Sequence, residues 1–169
     1  MIELFILLIG LIFGSFANVC IHRLPLDLDI VKARSHCPKC KKKIIWYDNI
    51  PLLSSLILSF KCRTCKKKIS KQYFIVELLT GLAFIFFYKT LGLSFDFVLI
   101  CIIFLILLII FFIDLKHYII PDSLNFSLIL IGIIKNFTTQ DLLKFNYDLA
   151  DSLLGGTLGY LIIWLIILI

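Results

Sequence analysis

The sequence predicts an all-α polytopic membrane protein of about five transmembrane helices, interrupted once by a small cysteine-rich insert of the zinc-knuckle type. Three observations predict it. Hydrophobic side chains make up 61% of the 169 residues and the mean hydropathy is +1.06, whereas soluble domains hold an apolar share of about 45–50%. Apolar runs near 2–20, 73–89, 94–113, 123–135 and 151–169 approach the roughly 17 to 25 residues that cross a bilayer. Finally, 13 of the 17 Lys and Arg residues fall between His22 and Lys71, against only three acids there, Asp27, Asp29 and Asp48.

The first run, within 1–21, has no basic residue before it and its positive charge after it. That order is the reverse of a cleavable signal peptide and reads as a retained helix with its N-terminus outside. Residues 22–72 then form a basic insert, which the positive-inside tendency places in the cytoplasm. The remaining spans lie in a membrane domain over 73–169. Threading the chain back and forth puts 90–93 outside, 114–122 on the cytoplasmic side and 136–150 outside.

Within the insert, Cys37-Pro-Lys-Cys40 and Cys62-Arg-Thr-Cys65 are two C-x-x-C pairs separated by 21 residues. Four sulfurs so spaced suit a tetrahedral zinc site, and the lysines beside them favour thiolate. Two disulfides are the alternative, but a reducing compartment disfavours them. A site closed by four sulfurs leaves no position for substrate, so the metal is structural. Cys20 and Cys101 sit alone in apolar runs and read as packing residues. A basic zinc module also raises nucleic acid as a partner. The stretch KKKIIWYDNIPLLSSLILSFK between the pairs is too apolar for that and suits the membrane face instead, with Trp46 and Tyr47 as headgroup-level anchors and anionic membrane lipids as partners.

The segment FFIDLKHYIIPD carries two aspartates at the end of the third run. Asp122, after Pro121 and before an apolar run, reads as a helix N-cap. Asp114 sits where a helix C-terminus disfavours negative charge. It either pairs with Lys116 or His117 or acts as a carboxylate held at the lipid–water boundary. Aspartic peptide hydrolysis needs two close carboxylates, one protonated and one ionised. Along a straight helix Asp114 and Asp122 would be about 12 Å apart, so the partner of Asp114 is expected from another span. Glu77, intramembrane near the cytoplasmic end, pairs with Lys71 or lines the active-site cavity. Gly10, Gly14, Gly81, Gly155, Gly156 and Gly159 are expected to permit close helix packing. There is no glycine-rich strand–turn–helix fingerprint for a Rossmann-type cofactor domain.

Five segments, GSFANVCIHRLP, the insert from SHCPKC to CRTCKKKIS, QYFIVELLTG, FFIDLKHYIIPD and DSLLGGTLGYLIIW, together resemble the bacterial type IV prepilin peptidases over essentially the whole chain. The resemblance implies a bacterial inner-membrane aspartic endopeptidase that cuts the basic leader of prepilins and pseudopilins on the cytoplasmic face. It also implies methylation of the new N-terminus with S-adenosylmethionine. It makes Asp114 the first catalytic aspartate, with Asp122 and Glu77 as auxiliary candidates, and Cys37, Cys40, Cys62 and Cys65 the metal ligands. It makes 73–169 part of an aspartic peptidase domain. The family's second catalytic aspartate lies in a Gly-x-Gly-Asp motif that the 169 residues do not contain, and Asp141, Asp148 and Asp151 fall on the expected outer face. The expectation is therefore a peptidase with an incomplete dyad, or else an inactive relic or a zinc protein that binds prepilins or assembly partners.

Overall fold

The computed structural model describes residues 1–30, 36–37, 39–137 and 149–168. Among these, the regular structure is helical: α1 Ile2–Arg23, α2 Leu53–Ile57, α3 Gln72–Leu91, α4 Phe95–His117, α5 Asp122–Phe137 and α6 Leu149–Leu168. Two isolated antiparallel bridges, His36 with Lys43 and Lys61 with Lys68, are its only β pairing. The chain divides into two compact units, Met1–Leu128 and Ile129–Ile169.

In the first unit α1, α3 and α4 are long and apolar enough to cross a membrane. Their hydrophobicity runs all round the helix, so packing is set by small side chains rather than by one apolar stripe. A Cβ added at Gly10 would lie 2.9 Å from the Gly81 Cα, and one at Gly14 would lie 2.7 Å from the Glu77 Cα. The glycines thus let α1 and α3 touch backbone to backbone. The two helices are antiparallel, with Glu3 at the start of α1 facing Lys89 at the end of α3 at 3.8 Å.

Gly92, at φ +63°, ends α3. Ser94 opens α4 by accepting the Phe97 N–H. This short reversal lays α4 beside both predecessors, with Phe97 edge-on to Phe84 and Tyr88. At the other end Ile113 is fully buried among Cys20, Ile21 and Val76. The end of α4 therefore returns to the end of the bundle from which the insert leaves.

α4 does not stop at Asp114 as its apolar run suggests. It continues to His117, and Tyr118 in the left-handed region (φ 54°) closes it by donating its N–H to the Asp114 carbonyl. α5 has 16 residues, about 24 Å of helix, short for a span. In the second unit α6 has 20 residues. The close-packing expectation holds at Gly10, Gly14 and Gly81. Most of the loop expected outside, with Asp141 and Asp148, lies outside the described residues.

Candidate functional site

The two cysteine pairs adopt the same turn. The Cys37 N–H donates to the Lys42 carbonyl at 3.0 Å and the Lys41 N–H to the Cys37 carbonyl at 2.8 Å. In the second copy Cys62 donates to Lys67 at 3.0 Å and Lys66 to Cys62 at 2.9 Å. Lys41 and Lys66, directly after the second cysteine of each pair, take left-handed φ values of 56° and 57°. These hairpins turn backbone N–H groups inward toward sulfur. The Cys65 and Thr64 N–H groups pull the Cys62 thiol down to about 6. Cys65 receives the Lys67 N–H, yet burial and the other sulfurs push it up to about 11. Four thiols in one place cannot all ionise without a cation to hold them.

The four ligand atoms lie within 4.8 Å of one another, and Cys37 Sγ and Cys65 Sγ are 3.9 Å apart. Zinc–sulfur bonds of about 2.3 Å arranged tetrahedrally give sulfur–sulfur edges of about 3.8 Å, so the donor set fits a four-thiolate metal ion. None of the four cysteines is in a disulfide. Cys20 and Cys101 are buried in separate apolar clusters between the helices, as expected of packing residues.

The knuckles are fastened to the rest of the insert by Arg63. Its guanidinium donates to both carboxylate oxygens of Asp48, at 2.7 and 2.8 Å, and lies 5.4 Å from the centre of the Tyr47 ring. The paired guanidinium holds the Asp48 carboxyl below its usual range.

Asp114 lies on the exposed side of α4, next to buried Ile113. Among the described residues its carboxylate has neither an ion pair nor a hydrogen bond, with Lys116 and His117 included. The structural alternative for Asp114, pairing with its neighbours, therefore does not hold. Asp122 is not the cap of α5. The Pro121 carbonyl accepts the Leu124 and Asn125 N–H groups, which makes Pro121 the cap position and Asp122 the first helical residue. There its charge still suits the helix N-terminus. Asp122 lines a cavity of about 350 Å³ with Ser123, Ile119, Pro121 and the loop after α1, including Asp27.

Glu77 is buried, at 6% exposure, and among the described residues it forms no ion pair with Lys71. Its Oε2 accepts the Leu52 N–H of the insert at 2.8 Å, and the Ser15 hydroxyl lies in its hydrogen-bonding sphere. Leu52, at φ 59° and ψ −49°, holds a conformation that costs a non-glycine residue about 1–3 kcal/mol, and the buried carboxylate offsets that strain.

Two further polar residues escaped the sequence reading. Arg23 is buried and donates to the Asp29 and Ile30 carbonyls, folding the loop after α1 over the helix end. Asn18 donates to the Gly14 and Tyr73 carbonyls, joining α1 to the first turn of α3. The only signal for either was a polar side chain inside or at the end of an apolar run.

Comparison with known proteins divides the chain at the same place as its chemistry. Residues 8–91 match the family model of the bacterial peptidase A24 N-terminal domain, and residues 101–169 that of the type IV leader peptidase family. A prepilin leader peptidase/N-methyltransferase of Klebsiella pneumoniae is 36% identical over 166 residues, covering 95% of this chain and 71% of the relative. The chain belongs to the type IV prepilin leader peptidase/N-methyltransferase family. Members of the same name in Myxococcus xanthus and Vibrio cholerae are 41% and 39% identical, over 93% and 92% of this chain. The chain spans 45% and 62% of the lengths of those two relatives. No solved structure matches. The four cysteines and Glu77 fall in the part matched as the peptidase A24 N-terminal domain, and Asp114 and Asp122 in the part matched as leader peptidase.

Proposed function

We propose that this chain carries the prepilin leader peptidase activity named for its relatives, hydrolysing the leader of prepilins or pseudopilins at the cytoplasmic face of the bacterial inner membrane. The observation that carries the reading is Asp114. Among the described residues it is an unpaired carboxylate, at the end of a membrane-crossing helix, inside the matched leader-peptidase segment and on the same end of the bundle as the basic insert.

In an aspartic site one carboxylate accepts a proton from water as the other, protonated, donates to the scissile amide. Asp114 supplies one of the two. The resemblance assigns the other to a Gly-x-Gly-Asp motif that these 169 residues do not contain, and Asp122 remains an auxiliary at the same face. The proposal divides the chain into a span over 1–21, a zinc insert over 22–72 and a partial aspartic peptidase membrane domain over 73–169, with α5 and α6 completing five spans.

Zinc is the metal we assign to Cys37, Cys40, Cys62 and Cys65. Soft thiolates in a tetrahedron select it, and with four protein ligands it would brace the insert rather than activate water. Methyl transfer from S-adenosylmethionine follows the second half of the relatives' name, and no residue is assigned to the donor.

The test uses the product isolated from its native membrane, with a prepilin leader peptide as substrate and bound zinc measured in parallel. Asp114→Asn is expected to abolish cleavage with zinc content unchanged, and persistent cleavage would overturn the role of Asp114. If the unsubstituted product binds the leader but does not cut it, the chain is a binding protein rather than a peptidase.

A further inference from the structure

The insert is basic around its knuckles, but between Asp48 and Lys61 the sequence NIPLLSSLILSF holds no charge. This stretch does not sit above the bundle end. Asn49 and Pro51 close a cleft of about 260 Å³ against Ile12, Ser15, Phe16 and Val19 of α1. The Leu52 N–H meets Glu77, which lies level with Gly14. Phe60 packs edge-on to Phe74 in the first turns of α3, at 5.7 Å.

Counted back from Arg23, Phe16 and Ile12 lie about 10 and 16 Å along α1 at 1.5 Å per residue, where half a hydrocarbon core is about 15 Å. Moving the membrane boundary past Glu77, level with Gly14, would leave α3, which ends at Leu91, only about 20 Å of apolar helix, too little for a core of about 30 Å. The uncharged stretch thus lies at leaflet depth.

Most of its backbone N–H groups meet the condition for that depth. Irregular chain is tolerated inside a bilayer only where its polar groups are satisfied by protein. The N–H groups of Leu53, Ser54, Leu56, Leu58, Ser59, Phe60 and Lys61 all donate to carbonyls within the segment, Leu52 donates to Glu77, and Pro51 has none to give. On the outward side Leu53, Leu56 and Ile57 are 54%, 57% and 74% exposed, an apolar face with no protein over it among the described residues. The Arg63–Asp48 fork joins the two ends of the segment where charge resumes.

We propose that residues 49–60 form a re-entrant segment that enters the leaflet beside α1 and α3. Its Leu53, Leu56 and Ile57 side chains lie against lipid acyl chains, and Glu77 holds its turn at Leu52. Glu77 is then a positioning residue that fixes the metal-binding knuckles to the membrane domain. The proposal rests on α1 and α3 spanning the bilayer and not on the peptidase reading.

The experiment places single tryptophans in the full chain with Trp46→Phe and Trp164→Phe, reconstituted in phosphatidylcholine vesicles. Ile57→Trp is compared with Phe5→Trp, exposed on α1, and with Lys42→Trp in the first knuckle. Quenching by acyl-chain-brominated lipid and by aqueous acrylamide is read for each. The Ile57 probe is expected to match Phe5 within about two-fold in bromolipid quenching and to be several-fold less accessible to acrylamide than Lys42. Acrylamide access equal to that of Lys42, without bromolipid quenching, would overturn the proposal. If Phe5→Trp itself behaves as aqueous, the spanning assignment of α1 fails and the proposal with it. Leu53→Trp, on the same outward face, provides the reading if Ile57→Trp does not assemble.

Discussion

Replacing Gly14 by alanine tests the packing that places Glu77. The new Cβ would stand 2.7 Å from the Glu77 Cα and 3.1 Å from the Thr80 Cβ, where ordinary contact begins at 3.4 Å. The obstacle is backbone, which no rotamer change removes, so α1 and α3 must separate by about 0.7 Å at that level, a typical overpacking strain of about 1–3 kcal/mol. Alanine also improves helix propensity by about 1 kcal/mol over glycine, which blurs the single variant. Gly132→Ala in α5 supplies the control, because its Cβ meets nothing within 4 Å and it gains the same propensity. The two variants should differ by the clash alone, about 1–3 kcal/mol, in reversible SDS unfolding in mixed micelles followed by circular dichroism. Equal stability of Gly14→Ala and Gly132→Ala would refute the backbone contact between α1 and α3. Where the contact is real, the displaced Glu77 should also loosen residues 49–60, seen as faster amide exchange there.

The other expectations follow from individual contacts. Serine at Cys37, Cys40, Cys62 or Cys65 should each release the metal on elemental analysis, whereas Cys20→Ser and Cys101→Ser should keep it, since those thiols lie outside the cluster. Glu77→Ala leaves the Leu52 N–H unpaired in a buried site and should cost about 1–3 kcal/mol in the same unfolding assay, while Glu77→Gln, which keeps an acceptor oxygen, should lose less than half of that. The Asp48 carboxyl is depressed in the folded protein by its hydrogen bond to Arg63. Its stabilising contribution is therefore complete above the ordinary carboxylate range and fades as pH falls through the lower folded value. Metal release should accelerate across that acid window, and Asp48→Asn should remove this part of the pH dependence, leaving the part due to thiolate protonation.

Much of the molecule was legible because some signals depend on composition and short spacing alone. Apolar runs reveal spans because a bilayer demands an uninterrupted hydrophobic length. The C-x-x-C pairs point to a cysteine cluster because each turn brings two sulfurs together locally. Asp114 stood out because a carboxylate is costly at the end of such a run. The boundary of α4 was missed by three residues, since Lys116 and His117 are as compatible with a last helical turn as with a loop. Asp122 was misplaced by one position, because a Pro-Asp-Ser start does not say whose carbonyl takes the first helical N–H.

The sequence by itself determined that this is a membrane protein with a basic insert, two cysteine pairs and one aspartate at the end of an apolar run long enough to cross a membrane. Those features follow from hydropathy, charge and spacing, which need no knowledge of the fold. Only the tertiary structure decided that the two cysteine pairs, 21 residues apart, converge within 4.8 Å. Only it showed that Glu77 serves Leu52 rather than Lys71, and that Asn49 and Pro51 of the insert lie against the side of α1. Each of these joins residues distant in the chain. Their partners are chosen by which backbones can approach, and that choice rests on Gly10, Gly14 and Gly81 meeting across two helices, which no local pattern specifies.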